Sequence, residues 1–262
     1  MAEPLALPKG TAPEGATSEQ DASRRVREMF TRIAPRYDLI NHLLSAQMDH
    51  VWRARTAQEL RPILDRADAR VLDLCCGTGD LAFSLGRNAK ASIIGADFSH
   101  TMLVRARAKA EQANAASPIP FFEADALRLP FADESFDLVT TAFGFRNLAN
   151  YEAGLKEIYR VLKPGGTVGI LEFTEPSRGM MGSLYRFYTT KVLPKIGGLI
   201  SGDAPAYAYL PKSVARFFRA AELAELMTQA GYGGVRYKLP ISPRAGSVNS
   251  RIPIVPPGFS TR

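Results

Sequence analysis

The sequence predicts an α/β fold, a mostly parallel and doubly wound sheet fronted by an N-terminal helical cap. Two features carry that expectation. From residue 70 to 173, short apolar runs alternate with stretches of helical period, as successive β-α-β units do. The first run, Arg70-Val71-Leu72-Asp73-Leu74-Cys75, breaks at Gly77-Thr78-Gly79, and a helical pattern of Leu81, Ala82 and Leu85 follows at once. A buried parallel strand, a glycine turn and a helix start form a cradle. Glycine lets a ligand approach the backbone, and free N–H groups at the helix start meet a negative group.

Composition sets the bounds. A chain of 262 residues, 46% hydrophobic and 23% charged, can bury one domain with decorations. Its two cysteines, Cys75 and Cys76, are adjacent and build no disulfide framework, so a cytoplasmic setting is expected. The N-terminus carries acid, proline and glycine rather than a basic and then apolar leader. No run approaches the roughly 18 apolar residues of a membrane span. A net charge of +7 and a pI of about 9.5 suit attraction to an anionic surface. With no basic block and no nucleic-acid motif, the charge is expected to serve lipid or no partner at all, and not nucleic acid.

Residues 1–20 have no period and read as a disordered lead. The cap spans 21–66. Its first helix, capped by Asp21 or Ser23, carries Val26, Met29, Phe30 and Ile33 on one face and stops at Pro35. A second helix covers 37–44, and a third, with the lone Trp52, covers 51–64. Strands follow at 70–75, 91–96, 120–122, 136–141 and 167–173. Between strands two and three, Ser99 can cap a helix whose Arg105, Arg107 and Lys109 read as a solvated face. Residues 176–215 interrupt the rhythm with tyrosines among glycines and prolines and read as a lid insertion. The main domain closes near 238 with a helix and the start of a sixth strand. Prolines at 240, 243, 253, 256 and 257 exclude a central strand from the tail, 239–262, so the terminal strand is expected to be absent or altered.

Ligands of such sheets lie at the carboxyl ends of the strands, where strand order switches. Asp73, Asp97 and Asp125 stand there, each also readable as a helix cap. The stretch Phe143-Gly144-Phe145-Arg146-Asn147 follows strand four. The turn alone leaves three readings open. Gly77-x-Gly79-x-x-Ala82 fits a loose dinucleotide fingerprint. Asp73-x-x-x-Gly77-x-Gly79 fits the loop of S-adenosylmethionine (SAM) methyltransferases. A plain strand-to-helix turn needs the same glycines. His42, His50 and His100 are isolated in sequence, and no metal site is expected.

Longer stretches are more specific. Val26-Arg27-Glu28-Met29-Phe30, Ile33-Ala34-Pro35-Arg36-Tyr37-Asp38, Asp73 to Asp80, Phe143 to Asn147, Tyr159 to Gly166 with Leu171-Glu172-Phe173, and Tyr207-Ala208-Tyr209-Leu210-Pro211 together resemble the ubiquinone/menaquinone biosynthesis C-methyltransferases. The likeness spans about 24–238 and implies a Rossmann-like, class I SAM-dependent methyltransferase. It implies SAM as methyl donor, held by Asp73, Gly77, Thr78, Gly79, Asp97, Asp125 and Ala126. The acceptor it implies is a lipid-soluble demethylmenaquinol, or a ubiquinone precursor. Arg146, charged at any working pH, suits stabilising the acceptor's phenolate or holding a water that Asn147 orients, with a structural clamp after strand four as the alternative for both, while Tyr37, Tyr185, Asp203 and Tyr207 would contact the acceptor. Peripheral contact with the inner face of the membrane and a homodimer are further expectations. The chain departs from the family at Cys75, where a glycine is common, at Ala142, where a hydroxyl is common, and throughout the tail. A methyltransferase of another small acceptor, a SAM-binding protein without catalysis and a nucleotide-dependent oxidoreductase are the alternatives.

Overall fold

The computed structural model of the chain describes residues 9–45, 47–113, 118–173, 204–238 and 250–255, with the backbone alone at 40, 41, 43, 44, 113, 204, 205, 207, 208 and 250–255. Helix α1 (Glu19–Ile33) starts on Ser18, whose side chain accepts from the Asp21 N–H, so the helix begins before the expected Asp21 or Ser23 cap. A 3₁₀ turn at Pro35 passes to α2 (Tyr37–Leu44). The expected single helix over 51–64 is two, α3 (Met48–Glu59) and α4 (Arg61–Leu64), because Pro62 has no N–H and fits only a first helical turn.

The alternation then runs as expected. It comprises β1 (Arg70–Leu74), α5 (Asp80–Gly86), β2 (Ser92–Asp97), α6 (His100–Ala113), β3 (Phe121–Glu123), β4 (Phe136–Ala142), α7 (Tyr151–Val161) and β5 (Leu162–Phe173). After the lid come α8 (Ala204–Arg216), α9 (Ala220–Gln229), β6 (Arg236–Lys238) and β7 (Ser250–Val255). The sheet order is β3-β2-β1-β4-β5-β7-β6, with β1 to β5 parallel, so strand order reverses between β1 and β4. The period of 2 along β1 and β4 sends Leu72, Leu74 and Val139 to a core with α7 and α9. Val71 and Leu138 go to a second core with α3 to α6. Val26, Met29 and Ile33 of α1 pack on Ala206 of α8, which sets the cap over the strand ends.

Two expectations fail here. The tail does supply a terminal strand: β7 lies between β5 and β6, antiparallel to both. Val168 and Gly169 pair with Val255 and Ile254, and Glu172 and Phe173 pair with Arg251 and Ser250. The positions between fall at Pro253 and Ile252, where the ladder to β5 is interrupted, as a residue without an N–H requires. Against β6, Pro253 stays in register with Tyr237. One missing donor interrupts a ladder without forbidding the strand. Residues 9–18, read as part of a structureless lead, instead bond to the domain. Thr11 N donates to Leu148 O at 2.7 Å, and Lys9 O accepts from Tyr151 N at 2.8 Å.

Deleting 250–262 uncovers the edges of β5 and β6, and open edges aggregate. The melting temperature is expected to fall by more than about 5 °C, with light scattering rising on heating. An unchanged melting curve would remove β7 from the sheet.

Candidate active site

A cleft opens at the switch point between β1 and β4. Phe30, Asp97, Asp125, Ala126, Asn147 and Leu148 line its outer lobe. Arg53, Asp73, Thr78 and Asp80 line an inner lobe, and Tyr37, Cys75, Gly77, Ala142 and Phe143 line both. Gly77 and Gly79 have φ of 56° and 87°, the left-handed region that glycine enters freely. A Cβ on Gly77 would meet nothing within 4 Å, so the backbone lies open to a ligand.

Cys75 and Phe143 also have positive φ, at 54° and 58°. Each left-handed residue with a side chain costs about 1–2 kcal/mol, so strain flanks the cleft on both strands. Room for the cysteine comes from Gly144, where a Cβ would sit 2.4 Å from the Cys75 Cβ. Burial pushes the Cys75 and Cys76 thiols well up, so neither is a nucleophile at neutral pH.

The three acids differ in environment. Asp73 is fully buried. One oxygen accepts from Thr140 Oγ1 at 3.1 Å and the other, Oδ2, has no protein partner. Burial pushes its carboxyl up to about 7. Asp97 accepts from Gly77 N at 2.9 Å and Ser99 N at 2.8 Å. Burial pushes it up to about 6, against those two N–H groups. Asp97 therefore holds the glycine turn as well as lining the cleft. Its bond to the Ser99 N–H also braces the entry to α6, while the Ser99 hydroxyl expected to cap that helix has no partner. Asp125 is exposed and accepts from Leu127 N at 2.9 Å, beside buried Ala126.

Thr78 is buried and tied to the cap. Its hydroxyl donates to Asp38 Oδ1 at 2.6 Å and accepts from Lys109 Nζ at 2.9 Å. Lys109 also bridges Asp38 at 2.8 Å and Asp80 at 2.7 Å. The Arg105–Lys109 face is thus not simply solvated, and Arg107 donates to Phe121 O. Arg53 pairs with Asp49 at 2.5 Å and reaches Asp80 at 3.5 Å. These charges fasten α2 and α3 to the glycine turn. Apart from Asp49 and Arg53, four residues apart on α3, the partners lie far apart in the chain, which is why sequence reading missed them. The fold also gathers His42 and His50, read as isolated, with Asp49, their ligand atoms within 4.8 Å of one another. Ser45 and the Arg53 cation already occupy the Asp49 carboxylate, an unfavourable donor set for a metal.

Arg146 lines neither lobe of the cleft. Its Nη1 donates to Glu172 Oε1 at 2.6 Å and to Phe143 O, while Glu172 Oε2 accepts from Arg146 N at 3.1 Å. Burial pulls its pKa down, but Glu172, Tyr209 and Tyr37 raise it further, so it stays charged. The geometry is a clamp on the 143–147 turn. Asn147 does line the cleft, and its Oδ1 accepts from Tyr209 at 2.9 Å. Tyr37 lines both lobes and stacks edge-on with Phe30. Burial pushes its phenol up to about 12 against the pull of Arg146 and Arg53. Tyr185, Asp203 and the side chain of Tyr207 lie outside the described residues.

Comparison with known proteins bears on this arrangement. Residues 18–244 match the ubiE/COQ5 methyltransferase family. The demethylmenaquinone methyltransferase of Thermus thermophilus is 52% identical over 212 residues, 80% of this chain and 94% of that protein. That of Deinococcus radiodurans is 48% identical, covering 82% and 87%. The ubiquinone/menaquinone biosynthesis C-methyltransferase of Geotalea daltonii is 40% identical, covering 83% and 92%. Among solved structures, a SAM-dependent methyltransferase from Thermotoga maritima superposes with a TM-score of 0.61 at 22% identity, covering 88% of this chain and 99% of that one.

Two outcomes follow from the geometry. Arg146→Gln strands the Glu172 carboxylate, 2% exposed, without its cation. A loss of about 3–5 kcal/mol of stability is expected by denaturant melts. Wild-type stability with a lost rate would return the guanidinium to the reaction. Asp73, raised from 3.8 to about 7, binds its proton more tightly when folded than when unfolded. Its contribution to stability is full below about pH 4 and lost as pH rises through about 7. Asp73→Asn should therefore gain on the ligand-free wild type more at pH 8 than at pH 5. An equal difference at both would refute the shift.

Proposed function

The chain belongs to the ubiE/COQ5 methyltransferase family, and from that premise we propose that it moves a methyl group from SAM to a ring carbon of demethylmenaquinol in quinone biosynthesis. The observation within this chain that carries the reading is the acid-lined cleft, with the Asp73 Oδ2 unpartnered and the Gly77 backbone open beside it. Those features fit SAM: an orphaned carboxylate oxygen suits its cationic amino-acid end. Asp97, at the end of β2, suits two ribose hydroxyls, and Asp125 with Ala126 suits an adenine edge. Thr78, Gly77 and Gly79 shape the turn between.

Bound SAM supplies an electrophilic methyl on a sulfonium, so the protein need not activate it. What the residues must do is align donor and acceptor in line and exclude water. The acceptor carbon becomes nucleophilic as a neighbouring phenol loses its proton. Asn147 and Tyr37 face that side of the cleft and can meet the developing oxyanion with neutral donors. Arg146 acts through Phe143 and Asn147 by holding their turn, with its charge balanced by Glu172. Tyr185, Asp203 and Tyr207 complete the acceptor side in this reading.

A lipid-borne acceptor must come from a membrane. Among the described residues no helix is long and apolar enough to cross one. Leu39 is 63% exposed on α2, the helix that Tyr37 begins, and Met48 and Val51 are exposed on α3. Exposed apolar side chains on a basic protein support peripheral contact with anionic lipid.

The test is labelled methyl transfer from SAM to reduced demethylmenaquinone, presented both in detergent and in phosphatidylglycerol vesicles. Transfer is expected in both. Asp97→Ala should weaken SAM binding by about 1.5–3 kcal/mol. The pair Leu39→Asp with Val51→Asp should slow the vesicle reaction alone. No transfer in either medium sinks the proposed reaction, and an equal slowing in detergent removes the membrane role of α2 and α3.

A further inference from the structure

We infer that Tyr209 is a positioning residue for methyl transfer, holding the Asn147 amide so that an N–H, not the carbonyl, is left for the acceptor. This rests on the methyltransferase reading above. Tyr209 sits on α8, in the Tyr207-Ala208-Tyr209-Leu210-Pro211 stretch, and has itself had no role attached so far. Its hydroxyl is 2.9 Å from Asn147 Oδ1 and 2.7 Å from Thr11 Oγ1.

A phenol has one proton to give. With that proton donated to Asn147, the Thr11 hydroxyl must donate to the phenol oxygen. The direction of the relay is then fixed from Thr11 to Tyr209 to Asn147. Both outer members are anchored. Thr11 is held by its own N–H on Leu148 O, and Asn147 lies in the turn that Arg146 clamps. With Oδ1 occupied, the amide turns Nδ2 toward Phe143 O, 3.4 Å away. That contact uses one N–H, and the second remains for the cleft that Asn147 lines.

The orientation matters because the two ends of an amide are nearly the same shape. A free asparagine flips at little cost and would offer a carbonyl oxygen to a developing phenolate, which repels it. Burial holds the Tyr209 phenol above its ordinary pKa against the pull of Thr11 and Arg146, so it remains a donor at any working pH. The same ring lines a separate cavity of about 350 Å³ with Thr11, Tyr151 and Lys212.

Tyr209→Phe removes the oxygen and keeps the ring. Two measurements on the full chain test the inference. In the first, the side-chain amide signals of Asn147 are followed by ¹⁵N NMR, assigned by their loss in Asn147→Ala. They are expected to move in Tyr209→Phe and to move less in Thr11→Val. In the second, Tyr209→Phe should lower kcat about tenfold, with SAM affinity within about twofold and melting temperature nearly unchanged. The double variant Tyr209→Phe with Asn147→Ala should be no slower than Asn147→Ala alone. Unmoved amide signals, an unchanged kcat, or losses that multiply in the double variant would each overturn the inference. A wild-type chain that methylates no quinol would sink the proposed reaction instead. The amide signals would still decide whether Tyr209 orients Asn147.

Discussion

The buried pair between Arg146 and Glu172 holds the wall of the cleft in place. Glu172 lies near the end of β5, and Arg146 lies in the turn after β4. Both oxygens of the carboxylate are used, one by the guanidinium and one by the Arg146 N–H, and the same guanidinium reaches back to Phe143 O. That contact crosses a residue in left-handed conformation, Phe143, whose ring stacks on Phe173 at 4.4 Å and meets Trp52 edge-on at 6.1 Å. Two buried charges need each other to escape the cost of desolvation. By satisfying that need, the pair fixes a strained turn that would otherwise relax, and Asn147 inherits its position.

A second set of charges does the equivalent work for the opposite wall. Asp38, Lys109, Asp80, Arg53 and Asp49 join the cap helices to the turn at Thr78. Unlike the Arg146 pair, most of these groups are partly open to water, so salt screens them and each contributes modestly. The two walls therefore differ physically: the sheet-side pair is buried, whereas Lys109, Asp38 and Asp80 on the cap side are partly open to solvent.

The acids of the cleft show how one residue type serves different ends. Asp97 is committed to two backbone N–H groups, so it shapes the loop before any ligand arrives. Asp73 carries an unsatisfied buried oxygen, which is costly in the ligand-free protein and favours a donor. Asp125 stands in water at the rim. Their spacing along the chain is similar, while their depth in the sheet is not.

By itself the sequence determined the parallel part of the sheet, β1 to β5, and the glycine turn that follows β1. The apolar runs with period 2, the glycines at 77 and 79 and the acids at strand ends are local signals, each readable within a few residues. The family likeness was legible for the same reason, since its motifs are contiguous. Tertiary structure decided what local signals cannot carry. Arg146 holds its turn because Glu172, a residue distant in the chain, faces it from β5. Lys109, apparently solvated, found three oxygens on two other elements. Tyr209 acquired its role by meeting Asn147 and Thr11, which lie far from it in sequence. Pro253 entered a central strand because β5 and β6 offered enough pairing on either side to tolerate one missing donor. In each case the decisive quantity is a distance between residues remote in the chain, set by packing, and no residue type or spacing encodes it.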